Sequence, residues 1–285
     1  VLLCAAGPAY ALPTSPQIIN GTAGIVINGN AMTVTNSPNA IINWGSFSIA
    51  SGETTRFMQQ SAASAVLNRV TGGDPSAIYG SLLSNGKVFL INQNGILFGP
   101  GAVVNVNGLV ASTLNITNED FLAGKMKFSA GAVAGTVENK GTITTPSGGQ
   151  VYLIAPDVQN SGVITAPNGD ILLAAGREIL LVDSATPEIA VVVSAPEHQA
   201  INLGTLTADA GRIGLYGGIV RQKGIVSANS AVRDASGRIF LKATKEVTAE
   251  AGSITSANGP QGGSITLQAS EGTTLVSGDR EERRV

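Results

Sequence analysis

The stretch GKVFLIN, at residues 86–92, consists of a glycine, a polar residue and then an apolar run that alternates like a strand. The same plan recurs in GQVYLIA (149–155), GDILLAA (169–175), GRIGLYG (211–217), GRIFLKA (237–243) and GSITLQA (263–269). A shorter unit precedes five of these six stretches, and its copies are GTITT (141–145), GVITA (162–166), GTLTA (204–208), GIVSA (224–228) and GSITS (252–256). Runs of Val, Ile, Leu and Thr between glycines are typical of short strands separated by turns.

The spacing of these units predicts a solenoid. Gly149 and Gly169 are 20 residues apart, the next interval is 42, and the last two are 26 each. A repeat of about 20 residues cannot bury its own apolar face, so neighbouring repeats must stack into a continuous core. We therefore expect a parallel β-helix with ladders of Asn and small residues at its corners. The longer intervals indicate an extra coil or loop, with TPEIAVVVSAPEHQA (186–200) as the long insertion.

Other fold classes account for less of the pattern. A leucine-rich solenoid has a similar period, but its strict leucine spacing is absent. A β-sandwich explains the alternation and the turns, but it gives no reason for the constant phase of the repeated unit. The segment 53–70 has helix-forming residues, and its glycine-rich flanks favour strands instead. Asn-Gly pairs, each suited to a tight turn with positive φ, occur at 20–21, 28–29, 85–86, 94–95, 107–108, 168–169 and 258–259.

Composition excludes several classes of function. Hydrophobic residues make up 43% of the chain and charged residues 13%, a balance too apolar for a disordered protein. The net charge of −2 provides no basic field for a phosphate backbone, so we expect no nucleic-acid partner. Between residues 12 and 285, no apolar run approaches the roughly 20 residues of a membrane-spanning helix.

The first residues, VLLCAAGPAYALPTSPQ, predict the end of a signal peptide. Ala9 and Ala11 have the small-x-small spacing that precedes a signal-peptidase cut, so residues 1–11 are interpreted as a signal-peptide remnant. The alternative is a buried N-terminal strand, which Pro8 and Pro13 disfavour. Cleavage also removes Cys4, the single cysteine, so the exported protein must be stable without disulfides.

The sequence offers little for catalysis. A β-helix that cleaves polysaccharides needs two or three carboxylates close together. Here Glu119-Asp120 is predicted in a polar loop, and Glu281-Glu282 in the tail. His198, the single histidine, is predicted at the surface, and Trp44 in the core rather than as a sugar platform. We predict no catalytic residues, no metal site and no cofactor.

The most unusual local feature is LINQNGILFG (90–99), in which polar residues interrupt an apolar run. We interpret this segment as a corner of the coil. Asn94 or Gly95 would take positive φ, and the amides of Asn92 and Asn94 would cap backbone groups that the turn leaves unpaired.

Four segments resemble the secretion domain of two-partner-secretion exoproteins of the filamentous-haemagglutinin and high-molecular-weight-adhesin type. They are INWGSFSI (42–49), RFMQQSAASAVLNRVTGG (56–73), residues 76–113 and LNITNEDFLAGKMKF (114–128). The family motif Asn-Pro-Asn-Gly-Ile is matched by Asn92, Asn94, Gly95 and Ile96, with Gln93 in the proline position. The second motif, Asn-Pro-Asn-Leu, has no literal match; AVLNRV (65–70), with Asn68, Arg69 and Val70, occupies its place.

The resemblance implies an all-β fold: a right-handed parallel β-helix with an N-terminal cap and small extra-helical strands. It implies a secretion domain over 12–130 and a continuing shaft over 131–285, frayed from about 277. The implied function is a secretion signal, recognised in the periplasm of a Gram-negative bacterium by the POTRA domains of an outer-membrane β-barrel. The exoprotein would reach the cell surface or be secreted as a monomer. Host glycans or receptors would be partners of the full-length protein.

Two alternatives remain open from the sequence: a carbohydrate-active β-helix enzyme and a shaft that binds glycans directly. Clustered carboxylates in a groove would favour the enzyme, and glycan binding by residues 12–285 would favour the shaft.

Overall fold

The computed structural model describes residues 12–183, 189–194, 197–231, 236–277 and 279–281, with side chains left out at 182–183, 189–194 and 279–281. The predicted cleavage site at Ala9 and Ala11, and Cys4, lie outside the described residues. One short helix, α1 (Asn118–Leu122), accompanies the strands. The strands are β1 (Gln17–Asn20), β2 (Ala23–Asn28), β3 (Ala31–Asn36), β4 (Ala40–Trp44), β5 (Thr54–Met58), β6 (Ala65–Val70), β7 (Ser76–Ile78), β8 (Ser81–Ile91), β9 (Ile96–Phe98), β10 (Val103–Ser112), β11 (Met126–Ser129), β12 (Val137–Asn139), β13 (Thr142–Thr144), β14 (Gln150–Ala155), β15 (Val158–Asn160), β16 (Val163–Thr165), β17 (Asp170–Ala175), β18 (Glu178–Asp183), β19 (Ile189–Ser194), β20 (Gln199–Asn202), β21 (Thr205–Thr207), β22 (Arg212–Gln222), β23 (Ile225–Ser227), β24 (Arg238–Ala249), β25 (Ile254–Ser256), β26 (Ser264–Ala269), β27 (Thr273–Val276) and β28 (Asp279–Glu281).

The strands form a parallel β-helix with three faces, which confirms the predicted fold class. Face A stacks β4, β6, the second half of β8, the second half of β10, β14, β17, β22, β24 and β26. Face B stacks β7, β9, β12, β15, β20, the ends of β22 and β24, and β27. Face C stacks β3, β5, the starts of β8 and β10, β13, β16, β21, β23, β25 and β28. Segment 53–70 forms β5 and β6, as expected.

The repeated glycine-polar-strand unit is the face A strand of each coil. Gln150, Asp170, Arg212, Arg238 and Ser264 stand directly above one another in register. The interval of 42 residues contains a loop and not an extra coil, because Asp170 pairs directly with Arg212. That loop carries β18 and β19, which pair antiparallel with each other.

Face A is buried on both sides, which explains why its strands read as continuous apolar runs. Alternate residues point into the core of the coil, and the others form a second cluster outside it. The antiparallel sheet of β11, β18 and β19, together with α1, lies over that outer cluster. We call these four elements the extra-helical layer. Glu119 and Asp120 lie in α1, so their prediction as a polar loop was wrong; the Thr117 side chain caps the helix by accepting from the Asp120 N–H.

Two antiparallel strands cap the N-terminal end of the coil. β1 pairs with β4, and β2 pairs with β3. Positive φ occurs as expected at Gly21, Gly29, Gly95 and Asn168. The same expectation was wrong for the Asn-Gly pairs at 85–86 and 107–108, which lie inside the long strands β8 and β10, and for the pair at 258–259.

A ladder of buried amides runs up face B through four successive coils, as the corner-ladder prediction expected. The Asn139 Nδ2 donates to Asn160 Oδ1 at 2.8 Å, and Asn160 Nδ2 donates to Asn202 Oδ1 at 2.9 Å. Asn202 Nδ2 then donates to Gln222 Oε1 at 2.8 Å. All four side chains are fully buried, and each is hydrogen-bonded both to a neighbouring amide of the ladder and to a backbone group two residues further along its own coil.

Candidate functional site

The polar segment that interrupts the apolar run forms a tight turn between faces A and B. β8 ends at Ile91 and β9 begins at Ile96. The Gly95 N–H donates to the Asn92 carbonyl at 3.2 Å, which closes a four-residue turn. Neither Gln93 nor Asn94 has positive φ, so the turn is of type I, and Gly95 follows with φ of 132°. Asn92 Oδ1 accepts from the Asn94 N–H at 3.0 Å and braces the turn from inside.

The two asparagine amides join this corner to the coil before it. Asn92 is fully buried, and its Nδ2 donates to the Asp74 carbonyl and to Ser76 Oγ, both at 3.0 Å. Asn94 Nδ2 donates to the Gly72 carbonyl at 2.9 Å. The prediction that these amides cap backbone groups of the turn is confirmed for the Asn94 N–H, which Asn92 Oδ1 accepts from. It was wrong for the two Nδ2 groups, because the carbonyls that they cap are those of Asp74 and Gly72 in the coil before.

The second motif lies one coil earlier on face A, directly beside the first. Asn68 pairs with Leu90 and Arg69 with Ile91 in the strand register. Asn68 points into the core, where its Oδ1 accepts from Trp44 Nε1 at 3.0 Å and its Nδ2 donates to the Phe89 carbonyl at 3.2 Å. Trp44 is fully buried, as predicted. The hydrogen bond satisfies an indole N–H that would otherwise be unpaired in the core.

Arg69 points to the opposite side of face A and fastens the extra-helical layer. Its guanidinium donates to Asn115 Oδ1 at 3.1 Å, to Asn118 Oδ1 at 2.9 Å and to the Ile116 carbonyl at 2.7 Å. Burial lowers the pKa of Arg69, and the Glu119 carboxylate opposes that shift. The side chain therefore holds residues 115–118, at the start of α1, against the coil.

The predicted residues of both motifs lie close together, on two successive coils. The Gln93 carbonyl accepts from the Gly135 N–H at 2.7 Å, which joins the corner to the next coil as well. The Gln93 side chain is half-buried and donates no hydrogen bond to the described residues. Val70 and Ile96 are apolar core residues. This arrangement shapes and fixes a corner, and it presents no nucleophile or acid-base pair.

The other chemistry-bearing residues lie apart from this corner. His198, predicted at the surface, has a side chain 22% exposed, with its Nδ1 3.8 Å from Asp157 Oδ1. Within the described ranges, no three His, Cys, Asp or Glu side chains are grouped closely enough to hold a metal ion. No helix in the described part of the chain is long and apolar enough to cross a membrane.

Comparison with known proteins assigns the family. A family model described as the TPS secretion domain matches residues 6–274. The chain belongs to this family. The structure of the TPS domain described above is also similar to the HMW1 secretion domain from Haemophilus influenzae, with a TM-score of 0.85 and 37% identity. That match covers 94% of this chain and 76% of the other.

Two heme/hemopexin-binding proteins of Haemophilus influenzae are also similar to this TPS domain. One is 40% identical over 121 residues, and the other 38% identical over 122 residues. Each match covers 41% of this chain and 13% of the relative, so the chain spans only a small part of these curated relatives. TPS domains belong to proteins that Gram-negative bacteria export with a partner outer-membrane transporter, so this domain is part of a secreted or cell-surface protein.

Sequence reasoning missed the partners of the motif residues. Nothing in the sequence links Arg69 to Asn115 and Asn118, which are 46 and 49 residues away. The helix at 118–122 had a signal in Thr117-Asn-Glu-Asp120, a threonine followed three residues later by an acid.

Proposed function

We propose that this TPS domain is a non-enzymatic secretion signal, recognised in the periplasm by the POTRA domains of its outer-membrane transporter after Sec-dependent export. Residues 12–130 would form the signal, and 131–285 the first part of a β-helical shaft whose folding outside the cell follows coil by coil. Binding of host glycans or receptors by the full-length protein is a separate prediction.

The observation that carries this proposal is the burial of Asn92 in the corner that matches the Asn-Pro-Asn-Gly-Ile motif. The Asn92 amide is fully buried, and its donor and acceptor are both used within the domain. In the folded domain this side chain therefore has nothing left to offer a transporter. We infer that the motif acts by setting the corner between two coils, and that the transporter reads either the chain before this corner closes or a surface that the corner supports.

The N-terminal cap supplies a surface suited to strand addition. β2 pairs only with β3 among the described strands, so its other edge is open. Val26 and Ile27 on that strand are 66% and 59% exposed, and no residue before Glu53 is charged. Most edge strands carry charges or prolines that block pairing. An open and uncharged edge favours docking of an extended segment from a POTRA domain.

The distribution of acidic side chains supports the absence of catalysis. Asp170, the acidic residue buried in face A, is held by both Arg212 nitrogens, Nε at 2.6 Å and Nη2 at 2.7 Å. Among the residues that the structure describes, no three His, Cys, Asp or Glu side chains are grouped closely enough to hold a metal ion. Both observations support the proposal of a non-enzymatic domain over a carbohydrate-active enzyme.

Secretion of paired variants tests the role of the corner. Asn92→Ala removes four side-chain hydrogen bonds, and we expect less of this variant in the medium when the transporter is co-expressed. Gln93→Ala changes the same turn without removing a side-chain hydrogen bond, and we expect normal secretion. Thermal unfolding of both purified domains shows whether lost secretion follows lost stability. Normal secretion of Asn92→Ala would refute the proposal.

A second pair tests the open edge. Val26→Lys puts a charge on β2, whereas Thr35→Lys puts one on an exposed position of β3, a strand that is paired on both sides. We expect Val26→Lys to weaken binding to the isolated POTRA domains and Thr35→Lys to leave it unchanged. Equal binding of both variants would contradict docking at this edge.

A further inference from the structure

A groove separates face A from the extra-helical layer and has no part in the corner described above. Its volume is about 380 Å³, within the range of small-molecule sites. Phe89, Val110 and Tyr152 of face A form the floor, and Phe121 and Leu181 of the extra-helical layer form the opposite wall. The groove is therefore a slot between two packed layers, with apolar surfaces on both sides.

The small size of Gly108 leaves space for this groove. Lys87, Gly108 and Gln150 stand above one another in the outward row of face A, and Gly108 leaves a gap between its two long neighbours. A Cβ at Gly108 would lie 3.2 Å from the Lys87 Cγ and 3.7 Å from the Gln150 carbonyl oxygen. The φ of Gly108 is not positive, so its backbone accepts a side chain, and a larger residue there would narrow the slot.

The charge of the groove has one sign. Its charged lining residues are Lys87, Lys125 and Arg212, and none of its described lining residues is acidic. Arg212 is matched by Asp170. Neither Lys87 nor Lys125 has a carboxylate within ion-pair distance among the described residues. Two ammonium groups at an apolar slot attract a ligand with an anionic end and an apolar body.

The backbone of the floor argues against a peptide. The strands below the groove, β8, β10, β14 and β17, are each hydrogen-bonded to a neighbour on both sides. An extended peptide in this slot would find no free sheet edge, and its own amides would lose water without gaining partners. An acyl chain has no such groups to satisfy. The slot spans four strand steps from Lys87 to Arg212, roughly 19 Å at about 4.8 Å per step.

We propose that this groove binds one free long-chain carboxylate, with the acyl chain along Gly108, Val110 and Tyr152 against Leu181, and the carboxylate at Lys87 and Lys125. This site is distinct from the corner at Asn92, because it lies on the outward side of face A and shares no hydrogen bond with the Asn92 side chain.

Titration of the 285-residue chain with cis-parinarate, a fluorescent long-chain carboxylate, tests the proposal. We expect saturable binding of one molecule per chain and displacement by palmitate, with weaker displacement by hexadecanol, which lacks the charge. Lys87→Met keeps the apolar stem and removes the charge, so binding should weaken about tenfold. Gly108→Val fills the slot and should abolish binding.

Lys127→Met is the matched control, because Lys127 is an exposed lysine of β11 that does not line the groove; it should bind like the unchanged chain. Circular dichroism checks that each variant is folded, and if Gly108→Val is not, Lys87→Met decides. Absence of saturable binding, or equal binding by Lys87→Met and Lys127→Met, would overturn the proposal. Association with phosphatidylglycerol vesicles that palmitate does not displace would also overturn it, because it would indicate a membrane surface.

Discussion

Replacing one amide in the ladder of face B should clearly lower the urea concentration at which the domain unfolds. Asn160 is the best rung to remove, because it is fully buried and has an amide partner both below and above. In Asn160→Ala, Asn202 Oδ1 loses its donor. Asn139 Nδ2 keeps only a 3.4 Å contact with the Gly141 carbonyl.

The magnitude follows from the two groups left behind. A buried polar group without a partner, here Asn202 Oδ1, costs about 1–3 kcal/mol, and the weakened bonding of Asn139 Nδ2 adds a smaller cost, so the substitution should destabilise the domain by about 2–4 kcal/mol. Single domains are stable by about 5–15 kcal/mol, and a loss of this size is a large share of that. Gln159 lies on the same strand and points outward, so Gln159→Ala should change the free energy of unfolding by less than about 0.5 kcal/mol.

Urea unfolding followed by circular dichroism measures both variants. Because each coil contacts mainly its neighbours, the coils on the two sides of Asn160→Ala can unfold at different urea concentrations. The unfolding transition of this variant can therefore also become broader. The reasoning would be refuted if the midpoint of Asn160→Ala matched that of Gln159→Ala, since the ladder would then contribute packing alone.

Three further substitutions have expected outcomes. Gln93→Pro should raise the free energy of unfolding by about 0.4–1 kcal/mol, which a higher melting temperature would show. Gln93 is the second residue of a type I turn, a position that suits proline, and its N–H donates no hydrogen bond to the described residues. Ala210→Gly should stabilise by about 1 kcal/mol, as measured by urea unfolding, because Ala210 has φ of 57°. Arg69→Met should speed hydrogen exchange of residues 118–122 while the coil keeps its circular dichroism, and Arg56→Met, at an exposed site on face C, should not.

The fold could be predicted because six of the coils repeat the same phase of glycine and apolar residues. One copy escaped notice: in β10, Gly108 stands where the other copies have their polar residue, and Asn107 precedes it where they have a glycine. Asn107-Gly108 likewise looked like a turn, although the chain passes from face C to face A there within a continuous strand.

The local chemistry of the candidate site was predictable, and its partners were not. Amides inside an apolar run must be satisfied within the fold, so the capping role of Asn92 followed from burial alone. The identity of the capped groups depends on which coil lies beside the corner. Asp74 and Gly72 are 18 and 22 residues from the amides that they accept from, and only the register of two stacked coils brings them together.

The residues of the two motifs make different contacts between successive coils. Asn68 satisfies Trp44 inside the coil, Arg69 holds the extra-helical layer outside it, and Asn92 binds the corner of the coil before. Each of these contacts forms only when successive coils have stacked, so the side chains of Asn68, Arg69 and Asn92 remain hydrated and accessible until then. If these residues form the proposed secretion signal, they are accessible in the extended chain before folding and are engaged in contacts within the domain afterwards. That sequence of states is what a domain needs if it is to be recognised on one side of a membrane and to fold on the other.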